Sequence, residues 1–186
     1  MFDPDRFIAD CRSASVASKM SGVLEVVSAA VSAPAQILHA LGEPRRAGVN
    51  VLHRSPELTI FNLIWGPQMC QLPHDHRMWA VIGIYTGRED NAFFRRDPDA
   101  RGRLVESGGK DIEAGDVLLL GDDAIHAVAN PADRLTGAIH VYGGDFVNQP
   151  RSQWGPGPRE ERPHDMNLLR RQFADANREW AESGGG

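Results

Sequence analysis

The chain has 186 residues, 41% of them hydrophobic, which suits one domain with a substantial core. A formal net charge of −5 offers no broad basic field, so a nucleic-acid partner is not expected. No stretch reaches the roughly 20 apolar residues of a membrane helix, the acidic start Met1-Phe2-Asp3-Pro4-Asp5 lacks a signal-peptide pattern, and Cys11 and Cys70 stand too far apart for a CxxC pair. A cytoplasmic protein with no membrane contact is expected.

Residues 1–46 read as a helical preface. Asp3-Pro4 supplies a capping side chain followed by Pro at the first helical position, and Phe7, Ile8 and Cys11 recur at helical spacing. A second apolar run covers Val23 to Val31. Pro34 restarts the chain, and Ile37, Leu38 and Leu41 lead to Gly42, a suitable C-cap. Residues 48–147 read as strands: Val49–Arg54, Leu58–Trp65, Trp79–Tyr85, Ala92–Arg96, Arg103–Ser107, Val117–Leu120, His126–Ala129 and Leu135–Val141. Short β runs separated by Gly, Asp and Pro turns, with no helical period between them, predict a jelly-roll barrel or sandwich. Residues 148–186 form a Pro- and Gly-rich arm, Gln149 to Pro163, and then a helix. Met166, Leu169, Phe173, Ala176 and Trp180 make one apolar stripe on that helix. The whole chain is read as a single domain.

The chemistry is concentrated in Pro73-His74-Asp75-His76. On a strand, residues two apart share a face, so His74 and His76 can offer two imidazoles to one ion. A third ligand is available in the segment Gly115 to Asn130, which contains His126. Three neutral imidazoles leave a divalent ion its full charge and open positions, and that ligand type suits iron, zinc, copper or nickel.

These two segments resemble the motifs of the cupin superfamily. Gly115, His126 and Asn130 match the second motif, G-x5-P-x-G-x2-H-x3-N, although Gly121 stands where Pro is usual and Asp123 where Gly is usual. His74, His76 and Gly87 match the first motif, G-x5-H-x-H-x3,4-E-x6-G, but Ala80 occupies its glutamate position. The resemblance implies a mainly β fold, a cupin double-stranded β-helix with N-terminal helices and a C-terminal helix. It also implies a metal site of His74, His76 and His126 without a carboxylate.

Within that superfamily the chain resembles the thiol dioxygenases, cysteine dioxygenase and, more closely, bacterial 3-mercaptopropionate dioxygenase. Pro73 to Gly83 looks like the family's H-D-H-x-x-W-[GA]-x-x-G segment, and Ile139 to Phe146 resembles its H-x-Y strand, with a weaker echo in Arg151–Trp154. The resemblance implies Fe(II) as cofactor, O2 and a small thiol carboxylate (3-mercaptopropionate or cysteine) as substrates, and a sulfinate product. His140 and Tyr142 match two members of the family's Ser-His-Tyr relay, while the serine position reads Ala138. Arg54 is the expected carboxylate-binding residue and Trp79 a candidate pocket wall. Two alternatives stay open: a three-His oxygenase acting on a non-thiol substrate, and a non-catalytic metal-binding sensor.

Overall fold

The computed structural model describes residues 1–100, 102–155 and 160–185. Its central frame comes from eight strands: β2 (Thr59–Trp65), β3 (Cys70–Asp75), β4 (Ala80–Thr86), β5 (Arg88–Arg96), β6 (Leu104–Glu113), β7 (Val117–Leu120), β8 (Ile125–Ala129) and β9 (Thr136–Tyr142). They pair antiparallel in a nested series, β2 with β9, β3 with β8, β4 with β7 and β5 with β6. That nesting defines the eight-stranded jelly roll, or double-stranded β-helix. One sheet runs β1-β2-β9-β4-β7, where β1 is Gly48–Arg54. The other runs β11-β10-β3-β8-β5-β6, where β10 is Ser152–Trp154 and β11 is Glu161–Pro163.

Two helices cover the outer face of the first sheet, α1 (Pro4–Val31) and α2 (Pro34–Leu41). Asp3 caps α1 by accepting from the backbone N–H groups of Asp5 and Arg6 at 2.9 and 3.1 Å. Lys19, at φ 50°, breaks α1 into two segments. Val23, Val27 and Val31 on the second segment are fully buried. Their close approach to β4 explains Gly83, where a Cβ would lie 2.6 Å from Val27 and 2.7 Å from Val31. Gly42, at φ 84°, ends α2 as expected. By length and composition alone α1 is long and apolar enough to cross a membrane. Merging two short apolar runs into one helix is what creates that length.

β2 is buried along its whole length because it has the helices on one face and the barrel interior on the other. Such a strand reads as a continuous apolar run rather than an alternation. The C-terminal helix α3 (Met166–Glu182) lies across the open end of the barrel. Asp165 caps it through the N–H groups of Asn167 and Leu168, and Asn177 pins it to the entrance of β1 through both backbone groups of Ala47, at 2.7 and 2.9 Å. Three elements escaped the sequence reading: β3, β10 and β11. Pro73 and the register shift between Gln71 and His74 disguise β3. Part of the predicted arm, residues 156–159, lies outside the described residues. Cys70 is exposed and Cys11 is buried; both are free thiols.

Candidate metal centre and adjoining cavity

His74 and His126 are direct partners across the β3–β8 ladder. His76 lies just past the end of β3, where Arg77 at φ 54° turns the chain. All three rings are buried, and their ligating nitrogens lie within 4.8 Å of one another. His76 Nε2 is 3.2 Å from His74 Nε2 and 3.2 Å from His126 Nε2. An ion about 2.1 Å from each nitrogen would set neighbouring ligands about 3.0 Å apart at right angles and about 3.4 Å apart at the tetrahedral angle. These two spacings fall inside that range and all three nitrogens lie within 4.8 Å of one another, so these residues fit a metal.

The far nitrogens of two rings are fixed from behind. His74 Nδ1 donates to the Leu72 carbonyl at 2.9 Å, and His126 Nδ1 to Asn91 Oδ1 at 2.9 Å. Each bond places the hydrogen on Nδ1 and leaves the Nε2 lone pair facing the centre, the tautomer a metal requires. Burial, reinforced by the neighbouring imidazoles, pushes the pKa of His74 and His76 well below the usual histidine value. Burial, followed by the nearby His140, brings His126 down to about 3. The three rings are therefore neutral and ready to ligate at physiological pH.

Behind the centre runs a buried polar chain. Tyr142 Oη is 3.0 Å from His140 Nδ1. His140 Nε2 faces Glu89 Oε1 at 3.5 Å, and Glu89 Oε1 accepts from Trp65 Nε1 at 2.7 Å. Glu89 is completely buried. With the hydrogen of His140 on Nε2, toward this carboxylate, Nδ1 is the acceptor for the tyrosine hydroxyl. Burial holds the Tyr142 phenol well above its ordinary pKa, so it stays protonated. Ala138, where the sequence resemblance implied a serine, is packed in the core. The second polar neighbour of His140 is Glu89 from β5, 3.5 Å away and not hydrogen-bonded to it.

The three histidines open onto a cavity of about 490 Å³. Its walls include His140, Tyr142, Phe146, Arg151 and His164, and among the described residues none that lines it is acidic. Arg151 is buried. Its Nη1 donates to the Phe146 carbonyl at 2.7 Å, its Nη2 approaches Met166 Sδ at 3.3 Å, and its Cζ lies 4.0 Å from the centre of the Phe146 ring. Arg151 Nε has no hydrogen-bond partner among the described residues. Burial lowers its pKa from the ordinary arginine value, Tyr142 and Asp75 act the other way, and no carboxylate forms an ion pair with it among the described residues. His164 stands 6.0 Å from His74, ring centre to ring centre, with its pKa lowered to about 4 chiefly by burial.

Asp75, between the two metal-site histidines, points away from the centre. Its Oδ1 accepts from the Ser152 backbone N–H at 2.7 Å, and its Oδ2 faces Arg77 at 3.3 Å and Arg96 at 3.7 Å. The first of these contacts fastens β10 beside β3, where Gln153 pairs with His74. Arg151, one residue before β10, is thereby delivered to the cavity.

Of the residues singled out in the sequence, His74, His76, His126, His140 and Tyr142 come together around this cavity. Arg54 and Trp79 do not line it. Arg54 forms a two-pronged ion pair with Asp145 at 2.8 and 3.0 Å on the outside of the barrel. Trp79 packs over Gly143 and against the core beneath the helices. The sequence reading missed Asn91, Glu89 and His164, and noted Arg151 only as an echo. Glu89 and Asn91 alternate on β5 at the spacing of one sheet face, which is the signal that could have found them. Arg151 and His164 sit in the Pro- and Gly-rich arm and carry no periodic signal.

No family model matches the chain. Among solved structures it is similar to an RmlC-like cupin family protein with a double-stranded β-helix fold from Methanocaldococcus jannaschii. The two are 10% identical at a TM-score of 0.46, over 56% of this chain and 86% of that one. It is also similar to oxalate oxidase in complex with the substrate analogue glycolate, at 12% identity and a TM-score of 0.43, spanning 55% of this chain and 53% of that one. An uncharacterized conserved protein with a double-stranded β-helix domain from Klebsiella pneumoniae gives 12% identity and a TM-score of 0.44, over 60% and 81%.

Proposed function

We propose that the protein is an Fe(II)-dependent dioxygenase that converts a thiol carboxylate to its sulfinate. The observation that carries this reading is the pairing of three neutral, carboxylate-free imidazoles with a buried, unmatched guanidinium in one cavity. Iron held by His74, His76 and His126 would supply the redox chemistry that joins O2 to a thiolate, RS⁻ + O2 giving RSO2⁻. Without a carboxylate ligand, the full charge of the ion favours an anionic sulfur.

The protein's own groups bind and orient. Arg151 takes the substrate carboxylate, replacing Arg54 in that role, and its fork geometry permits two parallel hydrogen bonds. Tyr142 and His140 manage the thiol proton. The phenol oxygen accepts it while passing its own proton to His140 Nδ1, and Glu89 stabilises the resulting imidazolium. The apolar wall provided by Phe61 and Phe146 keeps water from this relay.

The test is anaerobic loading with Fe(II), then O2 uptake and sulfinate detection across a panel of thiol carboxylates. One O2 consumed per sulfinate formed is expected. Uptake with a diketone or phenol but with no thiol would move the oxygenase to a carbon substrate, and bound iron with no uptake at all would overturn the enzymatic reading.

A further inference from the structure

The cavity is too large and too long for the smallest thiol acids. A molecule such as 3-mercaptopropionate amounts to about six water-sized groups, roughly 180 Å³ at about 30 Å³ each. The cavity holds about 490 Å³, within the range of pockets for drug-sized ligands. Its extent follows β2. Phe61, Leu63 and Trp65 occupy alternate positions and all line it. Phe61 meets Tyr142 at the metal end, with ring centres 5.7 Å apart, and Trp65 stacks on Phe173 of α3 at 5.9 Å. Four steps along an antiparallel strand cover about 13 Å. Most of the polar groups lie at one end, His74, His76, His126, His140 and Arg151, while Gln71, the cross-strand partner of Val128, and Arg170, next to Leu169, reach the cavity farther along. The other end is walled by Val128, Leu169 and Phe173, from β8 and α3. The apolar stripe of α3 is thus only partly core; Met166, Leu169 and Phe173 of it line the cavity.

We propose that the cavity takes an elongated thiol acid, its thiol and carboxylate at the three histidines and Arg151 and its alkyl or aryl body along Leu63 and Val128 toward Trp65 and Phe173. This rests on the oxygenase reading of the same site and narrows its substrate class away from cysteine and 3-mercaptopropionate.

The first experiment uses thiol-free probes, so that it reports on the cavity and not on turnover. Propionate, octanoate and 3-phenylpropionate are titrated into the full-length protein by calorimetry. Burying a methylene is worth about fourfold in affinity, so octanoate should bind at least about thirtyfold more tightly than propionate. Equal affinity within threefold overturns the proposal. Leu169→Trp fills the apolar end and should abolish the advantage of octanoate while leaving propionate unchanged; unchanged octanoate affinity overturns the proposal. Should that variant fail to fold, Leu169→Phe is the milder replacement with the same expected direction. Turnover separates the two readings. Sulfinate formation from 3-mercaptopropionate with a kcat/KM equal to that of a long-chain mercapto acid overturns the elongated substrate and leaves the dioxygenase standing. A steep chain-length series in binding, with no sulfinate from any thiol, removes the dioxygenase and supports the assignment of the cavity.

Discussion

Asn91 touches no ligand, yet the geometry makes it a determinant of metal affinity. Its Oδ1 is the acceptor that fixes the hydrogen of His126 on Nδ1, at 2.9 Å and out of contact with water. Asn91→Leu removes that acceptor and leaves a buried N–H without a partner, at a cost of about 1–3 kcal/mol. The ring is then free to place its hydrogen on Nε2, which cannot ligate, or to rotate. Expressed as binding, the loss is about 5- to 150-fold, in agreement with the tenfold to hundredfold typical of groups that orient a metal-bound imidazole. Calorimetric titration of Co(II) or Zn(II) into wild type and variant at pH 7.5 reads this directly, with thermal melts to establish that both are folded. Asn91→Asp keeps an acceptor at the same place and should retain most of the affinity. If Asn91→Leu binds either ion within twofold of wild type, the hydrogen bond does not set the tautomer and the reasoning is wrong.

Three further expectations concern the rest of the site. The metal-free protein should lose stability as the pH falls below about 6.5: the buried histidines have lowered pKa values in the folded state, so the unfolded chain binds more protons there. For His126, with its pKa brought down to about 3, the loss by pH 5 is about 2 kcal/mol. His74 and His76 act in the same direction. The urea midpoint in the presence of chelator should fall by about 1 M or more between pH 7.5 and pH 5, and an unchanged midpoint would contradict neutral burial. Glu89→Gln should lower kcat/KM at least about tenfold at pH 7 by weakening the imidazolium partner of the relay. The defect should shrink near pH 9, where the thiol ionises unaided, and a pH-independent defect would mark Glu89 as purely structural. Arg151→Leu should raise KM for an acid substrate by at least about a hundredfold, while Arg54→Ala changes it less than twofold; the reverse ranking would restore Arg54 to the substrate.

Much of the barrel was legible in the sequence, because short β runs between turns report local preference directly. The HxH segment and the second motif fixed the three histidines, and the structure brings them together. The missing parts share a physical cause. β3 has a proline and a bulge within six residues, so neither alternation nor β propensity announces it. The position of Arg151, the proposed anion subsite, depends on a contact between residues 75 and 152, a pairing no local pattern encodes. Arg54 looked suitable because it ends a strand near the right place. Its partner Asp145 is distant in sequence, and only the fold shows that the two neutralise each other. Glu89 is legible in retrospect: a carboxylate buried in a strand needs partners, and Trp65 donates to it while His140 lies 3.5 Å away.

The backbone bond from Ser152 to Asp75 has a mechanical consequence. Arg151 and His74 are each one residue from a member of that bond, so the anchor for the acid and the anchor for the ion belong to one rigid bracket. The span between them is set by this one local contact. A ligand is therefore measured first by the distance between its two polar groups, and only afterwards by the bulk of what trails behind them.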